Sequence, residues 1–369
     1  NLILLDGITV YNPTHFGGIF SNFLVDAVKE AELIKGGFNA EYGGRLSAVL
    51  NVLSREGNRN YFQGKTSISL LSAQTTLEGP FYNGAWLLSA RRTYFDYLLP
   101  KILPAETAEK IPPYYFYDLQ GHVFSDLNEK DRISVSIYRG IDDLIFDNLG
   151  LTADWGNNTY SLSFRRVFNE KLVGNFLVAS SEFFTNFNLG GDDGLNSENK
   201  ILDQTLSANL TFFQSSDLEW RTGAQIKQLD FKYLNTFLED TSFYIGENPI
   251  EAGFYTKLKW KGFSRFIIEP GLRYNYYSVY SSTPYIDLRL GAKYLLTDDR
   301  YINIALGNYH QFIQTVQDDY NPTILDSWLA VDNSIDPAEA QQAVIGYEEY
   351  IRDIYKIQIE AYYKTIQNM

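Results

Sequence analysis

Cysteine is absent from the 369 residues and methionine occurs once. The first absence excludes disulfide frameworks, cysteine-based zinc sites and thiol nucleophiles together, and it fits an extracytoplasmic setting. Long hydrophobic runs are missing as well: no stretch approaches the 18 or so apolar residues of a membrane-spanning helix. A membrane protein with this sequence therefore crosses as a closed barrel, the other structure that satisfies every backbone group in lipid. Basic charge is in short supply, with 31 Lys and Arg against 45 Asp and Glu and a net charge of -14. That is the wrong sign for a nucleic-acid partner, whose phosphates require a basic face. The acids are scattered in doublets such as Asp142-Asp143, Asp192-Asp193, Asp298-Asp299 and Asp318-Asp319, which read as solvated loops.

The usual carriers of chemistry are also thin. His15, His122 and His310 lie in three distant segments, and no pair has metal-ligand spacing. No serine sits in a G-x-S-x-G elbow. Gly64-Lys65-Thr66 invites a phosphate-loop reading, but the preceding glycine is Gly57, too far upstream for the four-residue spacing of that motif. The sequence implies no catalytic residue, no metal and no cofactor, and the expectation is a protein that is not an enzyme.

What is abundant is aromatic: 28 Tyr, 25 Phe and 5 Trp, in a chain whose mean hydropathy is nevertheless -0.23. Apolar groups are therefore spread in alternation. From Phe62 onward the pattern is period two. Ile133, Val135 and Ile137 oppose Ser134 and Ser136; Tyr160, Leu162 and Phe164 oppose Ser161, Ser163 and Arg165. Leu206, Ala208, Leu210 and Phe212 alternate with Ser207, Asn209 and Thr211, and Ile286, Leu288 and Leu290 with Asp287 and Arg289. Tyr355, Ile357, Ile359 and Ala361 close the series.

Connections alternate too. Short turns fall at Asn83-Gly84, Asn128 to Lys130, Asn169 to Lys171, Ser215 to Leu218, Lys261 to Ser264, Thr297 to Asp299 and Arg352 to Ile354. Mostly long connections lie between them, at Leu98 to Tyr115, Asp142 to Gly156, Asn188 to Ile201, Asn235 to Pro249 and Gln314 to Pro337, with exceptions near Ser72 and at Ser281 to Pro284. Short turns on one side and long loops on the other are the pattern of an outer-membrane barrel, and a sandwich or propeller has no reason to keep it. The count is about fifteen strands. Pro270 interrupts Arg265 to Tyr277, and a bulge or segment boundary is expected there.

The opening stretch differs. NLILLDGITVYN carries an Asp6-Gly7 turn between two apolar runs. Tyr11 to Asn22 is a polar and aromatic loop, Val25 to Lys29 reads as a short helix and Glu30 to Ile34 as a strand. Lys35 to Val52, KGGFNAEYGGRLSAVLNV, holds two glycine pairs before a strand. That series resembles the second half of the plug domain of TonB-dependent outer-membrane transporters. Downstream, LEGPF at Leu77 to Phe81, LLSARRTYFDYLLP at Leu87 to Pro100, FYDLQG at Phe116 to Gly121 and EAYYKTIQN at Glu360 to Asn368 are similar to the same family. The likeness is to its variant that often carries an N-terminal carboxypeptidase-regulatory-like domain.

The resemblance implies a mainly β fold: a transmembrane antiparallel β-barrel, incomplete at about 15 of 22 strands, with a partial α+β plug in its lumen. Residues 1-55 would be the C-terminal part of the plug, 56-61 a linker and 62-369 the first two thirds of the barrel, so the sequence reads as an internal fragment. It further implies TonB-dependent active uptake of a scarce bulky solute, whether siderophore, vitamin, oligosaccharide or peptide, across the bacterial outer membrane. The implied partners are outer-membrane lipid, the solute, a surface lipoprotein, and TonB through an N-terminal box that this sequence lacks. A passive porin-like or adhesin barrel is the alternative, and a soluble β-protein a third reading.

In the family the loop after the DG turn reaches the plug apex, here Tyr11, Asn12, His15 and Phe16. With Asp319, Tyr320 and Trp328 from the long connection Gln314 to Pro337, these are the candidate substrate contacts, aromatic faces beside hydrogen-bonding groups. The competing reading has the aromatics packing their own loops. Glu41 and Arg45 flank the YGG element and are expected to pair with lumen charges such as Arg91 or Arg165.

Overall fold

The computed structural model describes residues 1-108, 113-146, 150-191, 194-238, 240-280, 284-316, 327-330, 336-352 and 354-368. The first six strands are β1 (Leu2–Leu5), β2 (Ile8–Thr9), β3 (Thr14–His15), β4 (Phe20–Ser21), β5 (Val28–Ile34) and β6 (Val49–Ser54). Asp6 and Gly7 both take positive φ, 52° and 83°, the conformation of a two-residue hairpin turn, and Leu5 pairs with Ile8 across it. The Asp6 carboxylate accepts from the Ser54 amide and hydroxyl, which ties this turn to the end of β6. Strands β2, β1, β6 and β5 form one small sheet in that order, with β1 parallel to β6. The helix expected at Val25 to Lys29 is a single 3-10 turn, Val25–Ala27, and the strand begins directly at Val28. β-Branched Val25 and Val28 favour the extended outcome.

The next strands are β7 (Gln63–Ile68), β8 (Ser72–Phe81), β9 (Gly84–Thr93), β10 (Tyr114–Asp126), β11 (Asp131–Phe146) and β12 (Leu151–Asn169), with helix α1 (Phe95–Ile102) between β9 and β10. They are followed by β13 (Leu172–Leu189), β14 (Leu195–Phe213), β15 (Leu218–Phe237), β16 (Asp240–Glu247), β17 (Ile250–Phe263) and β18 (Phe266–Tyr277). The last are β19 (Tyr285–Thr297), β20 (Arg300–Gln311), β21 (Ile313–Val316), β22 (Ser327–Ala330), β23 (Ala338–Ile351) and β24 (Tyr355–Gln367). One antiparallel sheet of 16 strands runs from β7 to β24 in chain order, with β16 folded back on β15 and the β21-β22 hairpin outside it. Among the described residues β7 and β24 do not pair with each other, so the cylinder is not closed.

Three expected loops are mostly strand, the first being Asn235 to Pro249, which holds the end of β15 and all of β16. The β11-β12 ladder continues to Phe146 and Leu151, and the β13-β14 ladder to Leu189 and Leu195. Residues 142-146, 151-156, 188-189 and 195-201, polar enough to read as loops, are extensions of the sheet. Pro270 does not end β18. It pairs with Leu290 of β19, while the β17 ladder has a gap between Lys257-Gly271 and Trp260-Ile268 and shifts register only at Phe263. The missing proline donor falls in that gap, on the side where no bond is made.

The sheet wraps the N-terminal domain. Fifteen strands laid flat would span roughly 70 Å at about 4.8 Å spacing, whereas a 55-residue domain has a radius of gyration of only about 10 Å. Yet every strand of the main path reaches that domain with a polar contact. In order from β7 to β12, Lys65 meets Asp26, Glu78 meets Arg55, Arg91 donates to the Ser21 carbonyl, Asp118 and Asp142 meet His15, and Asn157 donates to the Asn12 carbonyl. From β13 to β17, Ser181 donates to the Thr9 carbonyl, Asp203 accepts from Tyr11, Lys227 donates to the Thr9 hydroxyl and Lys257 meets Glu41. From β18 to β24, Arg273, Arg289 and Tyr309 donate to carbonyls between Phe38 and Tyr42, Gln342 donates to the Leu46 carbonyl, and Lys364 donates to Ser47. Only a sheet curved around residues 1-55 makes these contacts at once, and that segment is a plug.

The two faces of the sheet are assigned by the same contacts. On the outer face of the lower half, the row Leu162, Val178, Leu206 and Ile226 is paired across four strands and half exposed. On the inner face at that height lie Ser161, Ser181, Asp203, Thr205 and Lys227, all buried against the plug. Phe168, Trp220, Trp260 and Phe266 stand exposed beside the short turns, an aromatic girdle at one rim of the apolar band. Among the described residues no helix is long and apolar enough to cross a membrane.

Candidate functional site

The plug apex is built from β3, β4 and the turn between them. Phe16, Gly17 and Gly18 all have positive φ, at 50°, 62° and 100°, and this left-handed run projects Phe16 and Ile19 into the open. Glycine tolerates such a turn without a Cβ penalty. Asn12 stabilises its base: its side-chain oxygen accepts from the Thr14 amide and hydroxyl, and its carbonyl accepts from Asn22 and from Asn157 of β12.

His15 lies directly beneath the apex and is fully buried. Its Nδ1 is 2.6 Å from Asp142 Oδ2, its Nε2 is 2.8 Å from Asp118 Oδ1, and its ring stacks on Phe116 at 4.1 Å. Burial alone would push the imidazolium pKa down. The hydrogen bonds and charges of Asp118 and Asp142 outweigh it and hold the pKa above the ordinary 6.5. Arg91 completes the group, binding Asp118 Oδ2 and the Ser21 carbonyl while lying over the Phe116 ring. His15 is thus engaged on both nitrogens and has no exposed surface.

Tyr11 is likewise buried, donating to Asp203 at 2.7 Å, and Asp203 also binds Lys227 at 2.9 Å. Trp328 stands edge-on to Tyr11 at 5.3 Å, with the Arg45 guanidinium 5.4 Å from its ring centre. The Trp328 amide and carbonyl are both bound by the Asn199 side chain of β14. The β21-β22 hairpin, which leaves the sheet at β20, is therefore docked on strands β13 to β15, over Phe183, Ile201, Leu229 and Phe231. Asp319 and Tyr320 lie outside the described residues.

Glu41 does meet barrel charges, but they are Lys257 at 3.1 Å and Arg221 at 3.6 Å in place of Arg91 or Arg165. Among the described residues Arg45 makes no ion pair; it donates to the Gly44 carbonyl and faces Trp328. Arg165 lies at the opposite end, by the short turn at Asn128 to Asp131. Height along the strand decides this: Arg165 shares the inward phase of Ser161 and Asn157 but sits at the short-turn end of β12. That element is gripped from β18 and β19, where Arg273 and Arg289 donate to carbonyls of residues 39 to 42. Gly44, at φ 71°, leaves the space that Glu251 of β17 fills.

Sequence reasoning missed Asp118, Asp142, Tyr114, Asn199, Arg273 and Arg289. Asp142 was hidden in a doublet read as loop, although it shares the inward phase of Tyr138. Near the apex, Trp155 Nε1 and Asn157 Oδ1 have no hydrogen-bond partner among the described residues. A cavity of about 850 Å³ lies on the other side of the plug, between Lys35-Gly36 and Glu360, Tyr362 and Lys364 of β24, beside the unpaired strand edge.

No protein-family model and no curated protein matches the sequence. Solved structures do. The siderophore receptor PirA from Pseudomonas aeruginosa superposes with TM-score 0.72 at 14% identity, over 99% of this chain and 66% of that one. PirA from Acinetobacter baumannii gives 0.72 at 12%, over 100% and 63%, and the alcaligin outer-membrane receptor FauA from Bordetella pertussis 0.70 at 11%, over 100% and 62%. The class defined here is a plug seated in an antiparallel β-barrel. More particularly, it is the fold of these outer-membrane receptors, of whose length this chain spans less than two thirds.

Proposed function

We propose that the chain is the plug and part of the barrel of a TonB-dependent receptor in the bacterial outer membrane, taking up a bulky siderophore-type solute. The observation that carries this reading is the bore filled by a domain touching every strand of the main path. A bore stoppered in this way passes nothing by diffusion, which disfavours the passive porin-like alternative. The outward apolar band and aromatic girdle support a lipid surround, since leaving that area in water would be far larger than the patches soluble proteins expose.

The work of such a receptor is differential binding. The ligand is held at the mouth by one arrangement of plug and wall and released by another, with the energy supplied through strand addition to TonB. The apex offers Phe16 and Ile19, with Tyr114 at 4.7 Å from Phe16. Around it the inner wall carries Trp155, Phe187 and Tyr233, and in the row Asp142, Trp155, Thr185, Asn199 and Tyr233 the charged member, Asp142, is taken up by His15. This lining supports a ligand presenting flat or apolar surface, as the aryl groups of many iron chelates do. Labelled ferric-chelate uptake by a deletion strain complemented with the whole protein tests the reading. Uptake that depends on the protein and collapses with a protonophore is expected; uptake indifferent to the protonophore would contradict it.

A further inference from the structure

We propose that His15 is a charged pin: as a doubly protonated imidazolium between Asp118 and Asp142 it fixes the plug apex to the barrel wall, and loss of one proton frees the apex. The argument is a count of hydrogens. Asp142 Oδ1 accepts from the Phe16 amide and the Tyr114 hydroxyl, and its Oδ2 faces His15 Nδ1. Asp118 Oδ1 accepts from Tyr138 and faces His15 Nε2, and its Oδ2 accepts from Arg91. Three of the four carboxylate oxygens accept from another donor, and the fourth, Asp142 Oδ2, faces only Nδ1; one proton therefore sits in that short contact, and the two flanking acids that raise the basicity of the ring place it on His15. Carboxylates accept only, and both ring nitrogens donate only in the cation. Two acids, one arginine and one imidazolium then sum to zero in a site closed to water.

The groups facing His15 come from three wall strands: Arg91 on β9, Tyr114 and Asp118 on β10, and Tyr138 and Asp142 on β11. All but Arg91 stabilise the cation or are neutral, and Arg91 is itself held by Asp118 and the Ser21 carbonyl. Removing one proton turns a ring lone pair toward a carboxylate and leaves a net negative charge buried. The hairpin of β3 and β4 hangs on this contact, because β3 ends in His15 and its pairing with β4 is only two residues long. His15 is a positioning residue for the apex. The inference does not depend on which ligand the apex meets, so it can fail while the receptor reading stands, and the reverse.

These 369 residues hold no cysteine, so a single introduced thiol labels this part of the protein alone once any cysteine elsewhere in the whole protein is replaced. Ile19→Cys, spin-labelled in the whole protein in lipid vesicles, reports apex mobility from pH 6 to 10, and nitrogen-15 spectra of labelled histidine report protonation. The expected result is an ordered label and a doubly protonated His15 at pH 7. Both signals should then be lost in one single-proton transition above the ordinary histidine range. Asp142→Asn should move that transition to lower pH, and His15→Gln should give a mobile label at every pH. A single-tautomer signal for His15 at pH 7, or an apex whose mobility follows neither pH nor Asp142→Asn, would overturn the proposal. Those two readouts use wild type and Asp142→Asn and stand even where His15→Gln fails to fold.

Discussion

The lower and upper halves of strands β12 to β15 are one continuous ladder with opposite polarity. Below, the outer row Leu162, Val178, Leu206 and Ile226 is apolar and the inner face, with Ser181, Asp203 and Lys227, is polar. Above, the outer row is Asp154, Asn186 and Glu198, while the inner wall holds Trp155, Phe183, Phe187 and Phe231. The change falls at a ladder of polar side chains on the outer surface. Arg139 donates to Asn158, Asn158 to Glu182, and Lys200 pairs with Glu182 and Lys232 with Glu198. The difference teaches that a strand's polarity follows its surroundings and not its fold. Proposed lipid outside and a hydrated plug inside give one phase; water outside and a docked hairpin inside give the other.

The comparison breaks most visibly on the lower inner face. Asp203→Ala leaves Lys227 buried without its acid, and loss of about 3-5 kcal/mol is expected, measured by urea unfolding in micelles. The result should be set against Asn186→Ala on the upper outer face, which should stay within about 0.5 kcal/mol. On the lower outer face Leu206→Arg should cost about 2-4 kcal/mol, whereas Glu198→Arg on the same strand and face, eight residues toward the other end, should cost little. A smaller effect belongs to the upper inner face: Asn199→Ala removes both bonds to Trp328 and should weaken hairpin docking by about 1-3 kcal/mol, read as faster amide exchange at residues 327-330. The smallest is set by pH. Stability contributed by His15 is fully present below about pH 6.5 and is lost as pH rises through its raised folded value, so plug retention should weaken on the alkaline side only.

Much of the lower half was legible in the sequence because Leu206 against Ser207, or Ile286 against Asp287, alternate in a single phase. The short turns also carried their own residues, Asn83 and Asn128 among them. The upper half was not legible, because at Asn188 and Asn196 polar residues take the outer positions that apolar ones held below. A reader following apolar groups then sees the strand stop. The apex loop was placed by resemblance, but its buried pin was not: nothing local to His15 announces that Asp118 and Asp142, each more than a hundred residues away, converge on it. The same holds for Glu41, whose partners on β15 and β17 depend on how far the sheet has curved.

The central claim is that the crossover on these strands marks where lipid gives way to water around a plugged cylinder. Single cysteines at 198, 200, 202, 204, 206, 208 and 210 of β14, spin-labelled in vesicles, test it through oxygen against nickel-chelate collision rates. The account predicts water-like accessibility at 198 and 200, changing to lipid-like accessibility by 206 and holding to 210. Uniform water accessibility along the row, or lipid accessibility at the intervening odd positions, would contradict it.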